Sequence, residues 1–519
     1  MEEPSKGQIG HKIKTVEELS AIIGLRPREK TVIMCHGTFD VVHPGHIRHL
    51  MYAKTKGDML VASLTADEHI EKADFRPYVP EELRAINLAA LEMVDYVIID
   101  RDSTPLRNLG IIQPDFFAKG YEYSSAGVNP KTQEEIEVLE SYGGEIIFTP
   151  GDIVYSSSAL INLAPPKIAN EKLLTLMEAE GIEFSDLYAA LDMFKYIKVH
   201  VVGDTIVDSY THCSMIGGVT KTPTMSVLFQ NKIDYTGGAA IVSKHLKAAG
   251  ADATFSTVLG NDTLKDFVLD DLNKAGVKVH AIVDNTRPTT NKNAIISEGH
   301  RLLKVDTLDN RSISERDVAR LQEQIATIQT DAIVFSDFRH GIFNRHTIPE
   351  LTSAIPSDVF RAADSQVASR WGNILEFEGF DLITPNEREA RFALGDQDSV
   401  VRPLALELRH RAKCKTLILK LGERGIITYR SDSQVPRAFF AIDSFVERLV
   451  DAVGAGDALL AYSTLALIAT KNEVIASILG SMAASVECEY DGNGPVKPEA
   501  VKEKIHRVET HTQYQYDAN

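Results

Sequence analysis

HGTFDVVHPGH, residues 36 to 46, is the stretch that decides how the first part of this chain folds. Ahead of it, the apolar run from Thr31 to Cys35 predicts a buried parallel strand. Gly37 lets the backbone turn closely, and Pro44 suits the first turn of a helix over His46 to Lys56. His43 and His46 are thereby set at a helix N-terminus, where unpaired backbone N–H groups attract phosphate. Two imidazoles beside those amides can donate to oxygens that gain charge when a phosphorus centre is attacked. Taken alone, such a pair is more readily one capping histidine beside one surface histidine, so the surrounding segments carry the decision.

With 519 residues, the chain exceeds one typical domain, and two or three separate cores are expected. A hydrophobic fraction of 44% and a charged fraction of 25% fit an ordinary globular protein. No apolar run is long enough to cross a bilayer and no secretory signal is visible, which predicts a cytoplasmic protein with no membrane partner. The net charge of −18 argues against nucleic acid as a partner, but not against small phosphorylated molecules held by a local basic cluster. Cys35, Cys213, Cys414 and Cys488 are far apart and form no C-x-x-C pair, so free thiols are expected rather than disulfides or a zinc site.

Residues 1–30 read as a polar extension with a short helix from Val16 to Ile23. From Thr31 strands and helices alternate: strands at Met59–Leu64, Tyr96–Ile99, Phe116–Ala118 and Glu145–Phe148, helices at Pro80–Leu91 and Gln133–Ser141, and a last helix capped by Ser156–Ser158. That order predicts a doubly wound parallel α/β domain over 31–163, with ligands beyond the strand C-termini at Gly37–His46 and Lys119–Gly120. Residues 164–185 read as a linker. A second α/β domain, 186–510, is expected to have a first strand at Val199–Val202, a small β lid from Thr211 to Tyr235 with more of it from Ile282 to Val305, and covering helices at Asp457–Ile468 and Glu473–Val486.

DAVGAGDALLA, Asp451 to Ala461, is a glycine-rich turn running into an apolar helix. Gly454, Ala455 and Gly456 leave room for a phosphoryl group, and Asp457 at the helix start is placed to take a proton from a substrate hydroxyl. KLGERG, from Lys420, is a strand followed by a glycine turn; PNEREA sets Asn386 and Glu389 at a helix start; and Gly237-Gly238-Ala239-Ala240 is a small-residue turn before another helix. In this order and at these separations the four motifs resemble the ribokinase-like family of sugar kinases, over roughly Asp186 to Val501. The resemblance implies Asp457 as catalytic base, Gly454–Gly456 as anion hole, Asn386 and Glu389 organising Mg2+ and phosphates, and Gly422 and Gly425 lining the ATP site. It also implies sugar hydroxyls held by Asp204 and Asp208 of GDTIVDSY, beside Gly237 and Gly238.

Thr31 to Leu163 is similar to small nucleotidyltransferases of the cytidylyltransferase-like family. GTFD-x-x-H-x-G-H is intact, Lys72 precedes Arg76-Pro77, Arg84 lies in EELRAINLAAL, KGYEY starts at Lys119, and the serine run ends at Ser158. The resemblance implies Thr38, Phe39, Lys72, Arg84, Lys119 and Ser157 around the nucleotide, with His43 and His46 stabilising charge as pyrophosphate leaves. Before the last helix, glycerol-phosphate cytidylyltransferases carry R-T-E-G-I-S, whereas this chain reads TPGDIVYSSS without an arginine. In that it resembles the adenylyltransferase domain of the bifunctional heptose-phosphate enzymes, which pair the same two domains with the kinase first; here the order is reversed.

Against heptose kinases, Ile241 replaces the asparagine of GGAAN, ADSQ around Asp364 replaces Asp-Pro-Lys, and His340 of SDFRHG replaces a lysine. Fewer cations would then face the sugar. The expected protein is a bifunctional enzyme that phosphorylates a heptose-phosphate-like sugar with ATP and transfers a nucleotidyl group to a sugar 1-phosphate, giving an ADP-heptose-like product. The alternatives are a CTP-using enzyme making a CDP-polyol or CDP-sugar, and a second domain that is an idle sugar-sensing or dimerisation module. Exposed edges on the lid strands predict a homodimer.

Overall fold

A computed structural model of the protein describes residues 10–70, 77–120, 130–149, 169–217, 226–366, 373–430, 438–490 and 492–517. The chain divides into two compact units, Met1–Ile168 and Ala169–Asn519.

The first unit is built on β1 (Ile13–Lys14), β2 (Val32–Gly37), β3 (Met59–Thr65), β4 (Tyr96–Asp100), β5 (Phe116–Gly120) and β6 (Glu145–Thr149). They form one parallel sheet in the order β1-β4-β3-β2-β5-β6. Strand β2 is apolar from Val32 to Cys35 because both of its faces are covered there. Ile33 and Cys35 pack with Leu50 and Leu88 of the helices Pro44–Lys54 and Glu81–Ala89, while Val32 and Met34 pack with Leu19, Leu109 and Leu139 on the opposite face. The strand order reverses around β2, between β3 and β5, which opens a crevice at the strand ends beside Gly37 and Lys119. The stretch read as a polar extension is built into this unit. Thr15 and Glu18 form a capping box for the helix Val16–Ile23, Leu19 is buried, and β1 adds to the sheet edge.

The second unit contains β7 (Lys198–Gly203), β8 (Thr205–Gly217), β9 (Ser226–Gly238), β10 (Asp252–Leu259), β11 (Lys278–Val283), β12 (Asn291–Ser297), β13 (His300–Thr307), β14 (Ala332–Asp337), β15 (Phe360–Ser365), β16 (Leu382–Ile383), β17 (Thr416–Lys420), β18 (Ile426–Tyr429) and β19 (Phe439–Ile442). Nine of them make the main sheet, β11-β10-β7-β14-β15-β16-β17-β18-β19, parallel as far as β17 and antiparallel beyond it. The other four, β13-β12-β8-β9, form the lid. It begins at Thr205, so GDTIVDSY itself enters the lid, and Ile282 lies in β11 at the edge of the main sheet rather than in the lid. The supposed linker also contributes to the core: Leu173, Leu176 and Met177 of the helix Ala169–Ala179 share a cluster with Val501 and Ile505 of the terminal helix Pro498–Asp517. The helix Ala455–Thr470 is apolar on every side because it is enclosed from Asp457 to Leu467. All four cysteines are buried and free, and among the described residues no helix is long and apolar enough to cross a membrane.

Candidate active sites

In the first unit, His43 caps the helix Pro44–Lys54, its Nδ1 accepting from the N–H of Gly45 at 3.1 Å. The His43 and His46 rings lie with centroids 3.9 Å apart and planes tilted by 31°, and Phe39, in a left-handed conformation at φ 47°, turns its ring to within 5.2 Å of His46. The two histidines thus share one face of the helix start at the end of β2. Below them, His36 bonds Ser63 Oγ at 3.0 Å and Thr65 Oγ1 at 3.2 Å. Burial, with the nearby charge of Lys119, lowers its pKa to about 4, so the ring is neutral at pH 7.

Arg84 is fully buried and its guanidinium binds the carbonyls of Thr38 and Thr65 and the carboxylate of Asp67. It therefore clamps the GTFD turn from behind instead of projecting into the crevice. Lys119, at the end of β5, is ion-paired with Glu135 and donates to Thr132 Oγ1 at 3.3 Å. Lys72 and Ser157 lie outside the described residues.

The second site is a cavity of about 910 Å³ whose lining includes Asp208, Gly238, Asn386, Glu389, Gly422, Gly425, Gly454, Ala455, Gly456 and Asp457. Gly454 caps the helix Ala455–Thr470 with φ 84°, a conformation that glycine adopts without strain. Asp457, in the first turn, is held well above the ordinary carboxylate pKa by burial, reinforced by Asp364 and opposed by Lys420. Lys420 leaves the end of β17, pairs with Asp364 at 3.1 Å and lies against Gly456. Burial works against its charge, yet Asp364, Glu389 and Asp457 outweigh it and raise its pKa. Asn386 and Glu389 form a capping box, and burial pushes the Glu389 carboxyl up to about 7.

The two aspartates of GDTIVDSY have different fates. Asp208 reaches the cavity and packs so tightly against Gly237 that a Cβ there would lie 2.2 Å from its Oδ2. Asp204 does not line the cavity. Its carboxylate accepts the backbone N–H groups of Phe338 and His340, both at 3.1 Å, and of Ile342 at 3.3 Å, so it holds a turn rather than a sugar.

Two family profiles match this chain: pfkB family carbohydrate kinase over residues 197–500, and cytidylyltransferase-like over residues 34–163. The chain belongs to the pfkB family of carbohydrate kinases. Bifunctional protein HldE of Desulfatibacillum aliphaticivorans is 27% identical over 339 residues, covering 63% of this chain and 66% of that protein. HldE of Geobacter metallireducens is 39% identical over 138 residues, covering 26% of this chain and 27% of that protein. The chain thus spans just under two thirds of the first of these curated relatives and about a quarter of the second. The crystal structure of phosphofructokinase-2 from Escherichia coli in complex with substrates and products shares the fold at a TM-score of 0.51 and 17% identity, over 60% of this chain and 100% of that one.

For a pfkB kinase, the substitutions at Asp364 and His340 suggested a sugar end poor in cations. Cations do reach the cavity from other elements: Lys292 of β12 and Lys304 of β13 both line it on the lid side, and Lys420 supplies a third positive charge beside Asp457. His340 is instead bonded to Asn310 through Nδ1. Lys420 stood inside the KLGERG motif but was read only for its glycines. Lys292 and Lys304 carry no local signal, because pairing of β12 with β8 and β13 is what brings them to the site.

Proposed function

We propose that the protein is a bifunctional enzyme of nucleotide-sugar synthesis, in which the second unit phosphorylates a phosphorylated sugar with ATP and the first transfers an adenylyl group to a sugar 1-phosphate. The observation that carries the kinase half is Asp457, buried at a helix N-terminus behind the Gly454–Gly456 turn with Lys420 beside it. A sugar hydroxyl oriented by Asp208 attacks the γ-phosphorus of ATP, a new O–P bond forms, the bond to the β-phosphate oxygen breaks, and the hydroxyl proton passes to the Asp457 carboxylate. Amides of the glycine turn and the Lys420 ammonium stabilise the transferring group. Lys292 and Lys304 suit a substrate that already bears a phosphate, which supports a heptose-phosphate-like sugar. Magnesium would arrive with the nucleotide. An ion held mostly by phosphates and water would then lie near Asn386 and Glu389.

In the first unit, a sugar phosphate oxygen attacks the α-phosphorus and pyrophosphate leaves, with His43 and His46 stabilising the charge at the helix start. Arg84 keeps the Thr38–Phe39 turn in place, and Lys119 meets phosphate if it exchanges Glu135 for it. Incubating the chain with ATP, CTP and a panel of heptose phosphates, and following ADP and pyrophosphate separately, tests both halves. Pyrophosphate release confined to CTP would sink the adenylyl assignment, and unchanged ADP release in Asp457→Asn would sink the kinase assignment. The lid also supports a homodimer, since Ile216 and Phe229 are 63% and 62% exposed on it. A monomer mass by light scattering would refute that part.

A further inference from the structure

Two acceptor atoms converge beneath the glycine that begins the catalytic helix. Asn493 Oδ1 and Glu487 Oε1 both point at Gly454, where an added Cβ would sit 2.4 and 2.9 Å from them. The two residues are only 7% and 4% exposed, and among the described residues neither oxygen has a hydrogen-bond partner. A buried acceptor left without a donor is unfavourable, and a proton shared between the two oxygens would satisfy both. Asn493 also faces the sugar end, its Nδ2 lying 3.5 Å from the Cβ position of Gly237, against which Asp208 packs. One side chain therefore touches the turn that receives the phosphoryl group and the turn that seats the sugar.

We propose that Glu487, carrying its proton, donates to Asn493 Oδ1, and that this neutral carboxyl–amide clasp makes both of them positioning residues, holding the Gly454 and Gly237 turns in register for phosphoryl transfer. The proposal rests on the kinase reading of the second unit. The charged groups that face Glu487 are Asp451, in the turn leading to Gly454, and Asp457, in the first turn of the catalytic helix; on its own helix Cys488 follows it. Both neighbouring charges are acidic and favour the neutral form. Burial, opposed by the Gly494 N–H and reinforced by Asp451, pushes the Glu487 carboxyl up to about 8. Ionised, it would set a negative charge beside amides that must receive phosphoryl oxygens, and would leave Asn493 Oδ1 without a donor.

The test combines infrared spectroscopy of the full chain with binding of a non-hydrolysable ATP analogue and magnesium, at pH values either side of about 8. A protonated-carboxyl band present in the wild type below that pH and missing from Glu487→Gln is expected. Analogue affinity should fall about tenfold as pH rises in the wild type, be rescued above the transition by Glu487→Gln, and be weakened at every pH by Asn493→Ala. The clasp is overturned if Glu487→Gln lacks no band, if it follows the wild-type pH dependence, or if wild-type affinity rises with potassium and Glu487→Gln loses that response, which would give the two oxygens to a monovalent cation. Failure of the analogue to bind at any pH counts against the kinase reading, and the infrared band then decides the clasp by itself.

Discussion

In the proposed kinase reaction Asp457 is the base, and its burial has a consequence for rate. A carboxylate drawn out of water and set beside Asp364 is a stronger base than an exposed one, so it can accept a hydroxyl proton near neutral pH. Asp457→Asn keeps the shape and removes the basicity, and ADP formation should drop by about 10³-fold with sugar binding nearly unchanged. Gly237→Ala tests the sugar end differently. Its Cβ would land on Asp208 Oδ2, so the aspartate must move, and the sugar KM should rise by about tenfold or more while ATP binding is retained. Arg84→Met removes the clamp on two backbone carbonyls in a fully buried setting. Loss of about 3 kcal/mol from the first unit, seen in its urea midpoint, is expected, and an unshifted midpoint would mean that Arg84 is not structural. Motif spacing made Asp457 and the histidine pair legible, but could not tell Asp204 from Asp208. What separates them is the turn at Phe338–Ile342, more than a hundred residues further along the chain.

Elements differ in how openly they write themselves into sequence. Strands β2, β3, β7, β14 and β17 are covered on both faces, so each is an apolar run that needs no periodicity to be noticed. The lid strands β9 and β13 are exposed along most of their length and mix polar with apolar residues, and the lid's limits were accordingly misplaced. The helix Ala169–Ala179 reads as linker because its apolar stripe, Leu173, Leu176 and Met177, gains meaning only against Val501 and Ile505 of the terminal helix. The lid also carries the cations that local reading could not find. Lys292→Met with Lys304→Met should raise KM for a heptose phosphate by about 10²-fold and leave KM for the corresponding unphosphorylated sugar within about twofold. Equal losses for both sugars would mean that the lysines shape the lid without meeting a phosphate.

At the scale of the molecule, each unit closes its own core, and their buried titratable groups differ in sign and number. In the second unit, burial raises Asp337 and Glu389 to about 7 and Glu487 to about 8. Folded, these carboxyls keep protons that the unfolded chain gives up near pH 4, so their stabilising effect is present at low pH and is lost as pH rises through 7 to 8. His200 and His245 act in the opposite direction. Burial depresses both to about 3, so they cost stability only below the ordinary histidine value of 6.5. Between about 6.5 and 8 the carboxyls are unopposed, each contributing up to about 1.4 kcal/mol per pH unit. Among its described residues the first unit has one strongly shifted carboxyl and one strongly shifted histidine, Asp100 at about 6 and His36 at about 4, which nearly cancel below 6 and are silent above about 6.5. Calorimetry of the full chain should therefore show two transitions, one nearly fixed across that window and one whose midpoint falls as pH rises. Glu487→Gln should shrink the fall by removing one of its sources. Two transitions that shift in parallel, or a second-unit midpoint that climbs with pH, would show that these carboxyls are already ionised in the folded protein at neutrality.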